Sequence, residues 1–241
     1  MPDQIKRMDV LHEAAFSEPS FVLLREFPPV IKKFYEVLST RFSVSPAYTT
    51  INSTNTVADL TIRIGLFNNS AAIELRPDRM AVSLPNITSR DELIVVKDTL
   101  SLAHNALKGA LPETTLSTSK FTLNTWISLE GGAIAAEDIL TRCASPSHPL
   151  DASKWGATSS RNSLRLTSRN DAEGWDITIY GDPSLVQGSH LFLSLDLTVS
   201  RANAHSINEQ VAVAETKLPQ IFEAIGLNLP KQPPTTGQPN A

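Results

Sequence analysis

The side chains that most often do chemistry are thinly spread along this chain. The five histidines are His12, His104, His148, His190 and His205. No two lie three or four residues apart, the spacing that puts two metal ligands on one helix face. There is no Cys-x-x-Cys pair, because Cys143 is the single cysteine. A metal centre is therefore not expected. Cys143 as a nucleophile would need a lowered pKa and a histidine in reach. His148 follows in a proline-flanked loop, with nothing to bring the two together, and Cys143 reads as a small buried apolar residue. His104 falls at the border of a helical apolar stripe. His190 precedes a strand, and His205 precedes a helix start. No Gly-x-Ser-x-Gly elbow is present. Gly131-Gly132 stands between a strand and a helix, but without the Gly, Lys and Ser/Thr of a phosphate loop it reads as a hinge. Glu74, Glu130 and Asp196 sit on polar strand faces and form no carboxylate pair. No catalytic residue is assigned, and no cofactor is expected.

Two features are less ordinary. Arg161, Arg165 and Arg169 share one parity of a predicted strand, with Leu164 and Leu166 on the other. Alternate residues of a strand are about 6.6 Å apart, so the three guanidiniums would line one sheet face. Such a stripe could meet a phosphate backbone or an acidic partner. Asp171, Glu173 and Asp176 lie close enough to neutralise it, and no aromatic interleaves it to stack bases. Trp126 and Phe192 are the second feature. Both are large apolar residues on otherwise polar strand faces, which marks an interface, a covering layer or a groove.

Composition narrows the class. The chain has 241 residues, 41% hydrophobic and 19% charged, enough to build a sizeable core without metal or disulfide. One cysteine excludes a disulfide-built scaffold. The formal net charge of −4 argues against a dedicated nucleic-acid binder, which carries a basic excess. The residues after Met1 are polar, and no run reaches the ~20 apolar residues of a membrane-spanning helix. A cytoplasmic location is the expectation, and matches to the glycosylation pattern such as Asn86-Ile87-Thr88 are read as chance.

The elements that must position these residues are legible in part. Residues 1–26 are mixed and carry no clear period. Pro28-Pro29 opens a helix to about Arg41, with Val30, Phe34 and Leu38 on its inner face. Residues 43–55 read as a Ser/Thr/Asn-rich loop. Leu60, Ile62, Ile64 and Leu66 alternate as a half-buried strand, followed by short strands at 73–75 and 80–84. Ser89 and Glu92 form a capping box for a helix whose stripe is Leu93, Val96, Leu100, Ala103 and Leu107, ended by Pro112. A long strand at 121–129 precedes a short helix at about 133–143, with Ile134, Ile139, Leu140 and Cys143 turned inward. Strands follow at 164–166, 175–179 and 191–199. Ser206 and Glu209 cap a last helix, in which Pro219 should produce a kink or a break. The proline-rich tail, 228–241, is expected to be disordered.

The reading is an α+β chain with an antiparallel sheet, long helices packed on one face, and two βββα-like halves. The first half is 1–143 and the second 161–227, with 144–160 as linker. The expected function is a non-enzymatic protein–protein interaction or assembly module, with a protein partner or a homodimer, through Arg161, Arg165, Arg169, Trp126 and Phe192. Two alternatives stay open: an enzyme whose site is assembled between the halves, with His104, Cys143 or His190 converging there, and a small-ligand module lined by strand 191–199 and the kinked last helix. Nucleic acid is a fourth reading, resting on the arginine stripe alone.

Overall fold

Residues 1–26, which show no clear period, contain the strand at the middle of the sheet. In the computed structural model, which describes residues 4–52, 59–88, 92–144, 163–183, 190–199 and 207–227, β1 runs from Gln4 to Phe16. Its buried side chains are Met8, Val10, His12, Ala14 and Phe16, a period-2 series whose apolar character is interrupted only by His12.

After β1 come the helices α1 (Phe21–Arg25) and α2 (Phe27–Leu38), then a 3₁₀ turn at Pro46–Tyr48. The strands β2 (Thr49–Asn52), β3 (Thr61–Leu66), β4 (Ala71–Arg76) and β5 (Arg79–Ile87) lead to α3 (Glu92–Ala110). The chain continues with β6 (Leu116–Ser128), α4 (Gly132–Ala144), β7 (Leu164–Asn170), β8 (Trp175–Pro183), β9 (His190–Val199) and α5 (Ile207–Ala224).

Among the described residues, nine strands form one sheet in the order β2-β3-β4-β5-β1-β6-β9-β8-β7, and every neighbouring pair is antiparallel. The two halves thus share a sheet, joined where β1 lies against β6 from Gln4 opposite Ser128 to Phe16 opposite Leu116. β6 in turn pairs with β9 from Ser119 opposite Val199 to Ser128 opposite His190. The chain is α+β, as its periodicities predict.

One parity of each central strand is buried. Leu123, Ile127, Leu191, Leu193, Leu195 and Leu197 join Val96, Leu100 and Ala103 of α3, Ile139 and Leu140 of α4, and Val211 and Phe222 of α5 in a single hydrophobic cluster. The other parity is polar and half-exposed. Buried apolar area of this kind stabilises by about 25 cal/mol per Å2, so this cluster is the main source of stability.

Several expectations need correction. The loop predicted at 43–55 contains β2, an edge strand whose Ser/Thr/Asn-rich surroundings hid it; its Ile51 faces Ile62 of β3. In α4, Ile134 is 75% exposed, and the inward residues are Ala136, Ile139 and Leu140, with Cys143 half-buried. Positions 136, 139, 140 and 143 follow the three-four spacing of one helix face, and 134 falls off it. Pro219 does not divide α5, which runs through it to Ala224. Ala144, expected to open the linker 144–160, ends α4; the capping serines Ser89 and Ser206, the rest of that linker, Arg161 and the tail 228–241 lie outside the described residues, and at the start of α3 the Glu92 carboxylate accepts the Thr88 backbone N–H at 2.7 Å. Among the described residues, no helix is long and apolar enough to cross a membrane.

Candidate functional site

The polar parity of the sheet carries the residues singled out by type. Trp126 on β6 lies directly opposite Phe192 on β9. Their ring centres are 5.0 Å apart at an interplanar angle of 55°, within the range of favourable aromatic pairs. Arg7 on β1 pairs with Trp126 on its other side, and its guanidinium carbon is 4.7 Å from the indole centre. Three neighbouring strands thus place Arg7, Trp126 and Phe192 in one row. Two aromatic positions 66 residues apart in sequence meet only because β6 and β9 are neighbours.

Arg7 is held by Asp9, which accepts from Arg7 Nε at 2.8 Å and from Nη2 at 2.6 Å. That hydrogen bond raises the Arg7 pKa, against a smaller opposing effect of burial. Asp9 Oδ1 also accepts the backbone N–H of Asn86 at 2.8 Å. Asn86 has φ +62° and sits where the β1–β5 register shifts between Met8 and Val10. One carboxylate therefore fixes both the cation over Trp126 and a bulge on the next strand.

Among the described residues, the arginine stripe is more neutralised than its spacing suggests. Arg165 lies 5.3 Å from the ring centre of Tyr180, its partner across β8. Arg169 donates to Asp176 at 2.8 Å and lies 3.5 Å from Asp171, and these carboxylates raise its pKa. Elsewhere on this parity Lys120 pairs with Asp196 at 2.9 Å, Thr122 donates to Asp196 at 2.6 Å, and Glu74 lies 3.9 Å from both Arg63 and Arg76. Charges of both signs interleave across the face.

On the buried parity lies a cluster that sequence reasoning missed. His12 on β1 is fully buried, Ser119 on β6 is 1% exposed and Gln210 on α5 is 3% exposed. His12 Nε2 is 2.8 Å from Ser119 Oγ, and Ser119 Oγ donates to Gln210 Oε1. His104 on α3 meets His12 edge-on, with ring centres 5.0 Å apart. Burial pushes the His12 pKa down to about 3, with His104 adding to the effect and a hydrogen bond to Gln210 opposing it. Burial pushes His104 down to about 4. A signal was present for His12, whose parity with Met8, Val10, Ala14 and Phe16 places it inside. Gln210 lies three residues after Ile207 and four before Ala214, on the buried face of α5.

Of the groups considered for an assembled active site, His190 lies far along the sheet from the His12–His104 pair. His190 pairs with Ser128, whereas His12 pairs with Phe121 of the same strand. Seven residues of strand separate those positions by about 23 Å. Burial raises the Cys143 thiol pKa, only partly offset by Arg142, which is the reverse of activation. His148 and His205 lie outside the described residues. Among the described residues no three His, Cys, Asp or Glu side chains converge to hold a metal ion. The space beside α5, lined by Val96, Phe121, Leu123, Val211, Ala214 and Leu218, is about 20 Å3, room for one water and not for an organic ligand. An open cleft of about 550 Å3 at the edge of α4 is lined by Glu130, Asp138 and Arg142 among others.

No protein-family model matches the chain, and no curated protein matches it. Among solved structures, TBP of Methanococcus jannaschii aligns over 93% of this chain and 98% of that chain at 13% identity, with a TM-score of 0.25, too low to carry an argument about fold or function.

Proposed function

We propose that the chain is a non-enzymatic binding or assembly module that docks a protein partner on the polar face of its sheet, around Trp126, Phe192 and Arg7. The observation that carries this reading is the row in which Arg7, Trp126 and Phe192 adjoin, half-exposed on the sheet parity opposite the hydrophobic cluster. Aromatic and arginine side chains are the types that most often anchor protein interfaces. The helices support it as well. Their buried residues belong to the cluster of the other parity, which favours helices packed on one face and a second face left for a partner. The interleaved charges favour a protein over a polyanion, since a nucleic-acid surface needs an excess of unpaired cations.

The strand order supports a duplication. With α1, the 3₁₀ turn and the edge strand β2 set aside, the set β1-α2-β3-β4-β5-α3 and the set β6-α4-β7-β8-β9-α5 run in the same order, and each is laid outward from the β1–β6 junction in the same sheet order. We take the repeat to be βαβββα, one strand and one helix longer than the βββα unit expected from periodicity. The single free thiol, Cys143, is consistent with a reducing, cytoplasmic setting.

The test places a photo-crosslinking amino acid at position 126 or 192, or at the solvent-facing Lys32 of α2 as a control, and illuminates the cells. Protein adducts at 126 and 192 that are absent at 32 would support the reading, with their masses separating a second copy from a different partner. Adducts no more frequent at 126 and 192 than at 32, together with a monomer in sedimentation at tens of micromolar, would overturn it.

A further inference from the structure

The buried histidine pair has no part in docking at the opposite face, and its geometry has a consequence of its own. The side-chain oxygen of Gln210 can only accept a hydrogen bond. Ser119 gives its one hydroxyl proton to that oxygen, so its Oγ must accept from His12 Nε2. His12 is therefore the Nε2–H tautomer, and its Nδ1 is a bare lone pair, buried and without a partner. His104 Nε2 is also buried and without a partner, on a ring set edge-on to His12. The two rings therefore meet by an edge contact, with no hydrogen bond between them, and neither buried nitrogen has anything to offer an added proton.

We infer that the buried network His12–Ser119–Gln210, with the His104 ring packed edge-on against His12, is an acid-sensitive latch holding α3 and α5 on the central strands β1 and β6. A proton added to His12 Nδ1 would leave an N–H without an acceptor and a cation in an apolar pocket.

Gln210 offsets the cost only in part, and among the described residues no charged side chain close by would compensate that cation. Beside His12 on the buried parity are Val10 and Ala14 of β1, Val82 of β5 and Phe121 of β6. From the helices come Leu100, Ala103 and Leu107 of α3 and Ile207, Val211 and Ala214 of α5. The charged residues of these strands near His12, Glu13, Arg79 and Lys120, lie on the opposite sheet parity. Those of the helices, Glu92, Lys97, Asp98 and Lys108 on α3 and Glu209, Glu215, Lys217 and Glu223 on α5, are exposed or half-exposed. None of them contributes to the depression of either histidine, which comes from burial and, for His12, from His104.

The sign follows from linkage. Both histidines have folded pKa values below the ordinary 6.5, so between about pH 6.5 and 4 the unfolded chain binds more protons than the folded one. Their contribution to stability is complete above pH 6.5 and falls with acidification, and with two such groups the unfolding constant rises by up to about a hundredfold per pH unit.

The first measurement is long-range 15N NMR of the histidine rings in the whole protein between pH 7 and 4.5. The expected spectra show His12 as the neutral Nε2–H tautomer and both rings un-protonated at pH 5. A Nδ1–H tautomer at His12, or titration of either ring near pH 6.5, overturns the inference. The second is hydrogen exchange at pH 7 and 5, corrected for intrinsic rates. Protection should fall first in α3 and α5, with β1 and β6 retained; equal loss in all four leaves a buried pair with no latch. In His104→Gln the pH dependence of the unfolding constant should drop to about tenfold per unit. An unchanged slope overturns the coupling, and if that variant does not fold, the spectra and the exchange of the native chain decide.

Discussion

Asp9 concentrates several jobs in one carboxylate. It binds the Arg7 guanidinium through both oxygens and accepts the Asn86 N–H of the neighbouring strand. Asp9→Ala should therefore lower stability by about 1–2 kcal/mol, the cost of leaving a backbone donor and a cation without an acceptor. Arg7→Ala should cost less than about 1 kcal/mol, because this ion pair is partly exposed. Urea midpoints of the two variants check the order, and Arg7→Ala the more costly would contradict it. The types of these residues give no hint of their partnership. Asp9 is one polar residue among several in residues 4–16, and the Asn86 bulge is a property of the β1–β5 pairing.

Helix α4 is fitted closely to the second half of the sheet. A methyl group at Gly181 of β8 would stand 3.0 Å from Leu140 Cδ2 of α4, 3.0 Å from Leu193 Cδ2 of β9 and 3.3 Å from Leu164 Cβ of β7. Gly181→Ala should overpack that junction and cost about 1–3 kcal/mol. Exposed Ile134 on the same helix gives the contrast, since Ile134→Ser should change stability by less than about 0.5 kcal/mol. Thermal unfolding of both variants checks the prediction. Helix α4 itself was legible from its apolar spacing. Its inner face was not, because Ile134 is more hydrophobic than Ala136 and periodicity weighs hydrophobicity, whereas packing selects the residue at the right angle.

The sheet passes without interruption from one half of the chain to the other. β1 pairs with β6 along its full length, and β6 pairs with β9 over ten residue positions from Ser119 to Ser128. A protease site engineered into 145–160 should therefore yield two fragments that co-elute as one complex in native buffer and separate only in denaturant. Fragments that part in native buffer would contradict the shared sheet. Acidification acts on the whole molecule too: through His12 and His104, stability should decline steadily from pH 6.5 towards 4, which a series of urea midpoints reads directly.

Periodicity along the chain determined many of the strands and helices, because the alternation in 60–66 and 191–199 and the stripe in 93–107 are local records of one buried side. It gave the α+β class, and it marked Trp126 and Phe192 as apolar residues on a polar parity. It did not reveal β1, where His12, Leu11 and Ala15 blur the alternation, or β2, whose polar edge position needs no apolar pattern. The tertiary structure decided which strands are neighbours. That decision brought Trp126 to Phe192, Arg7 to Trp126, and His12 to His104, Ser119 and Gln210. Strand order is set by how apolar faces far apart in sequence close on one another, and no spacing within a single strand or helix records it.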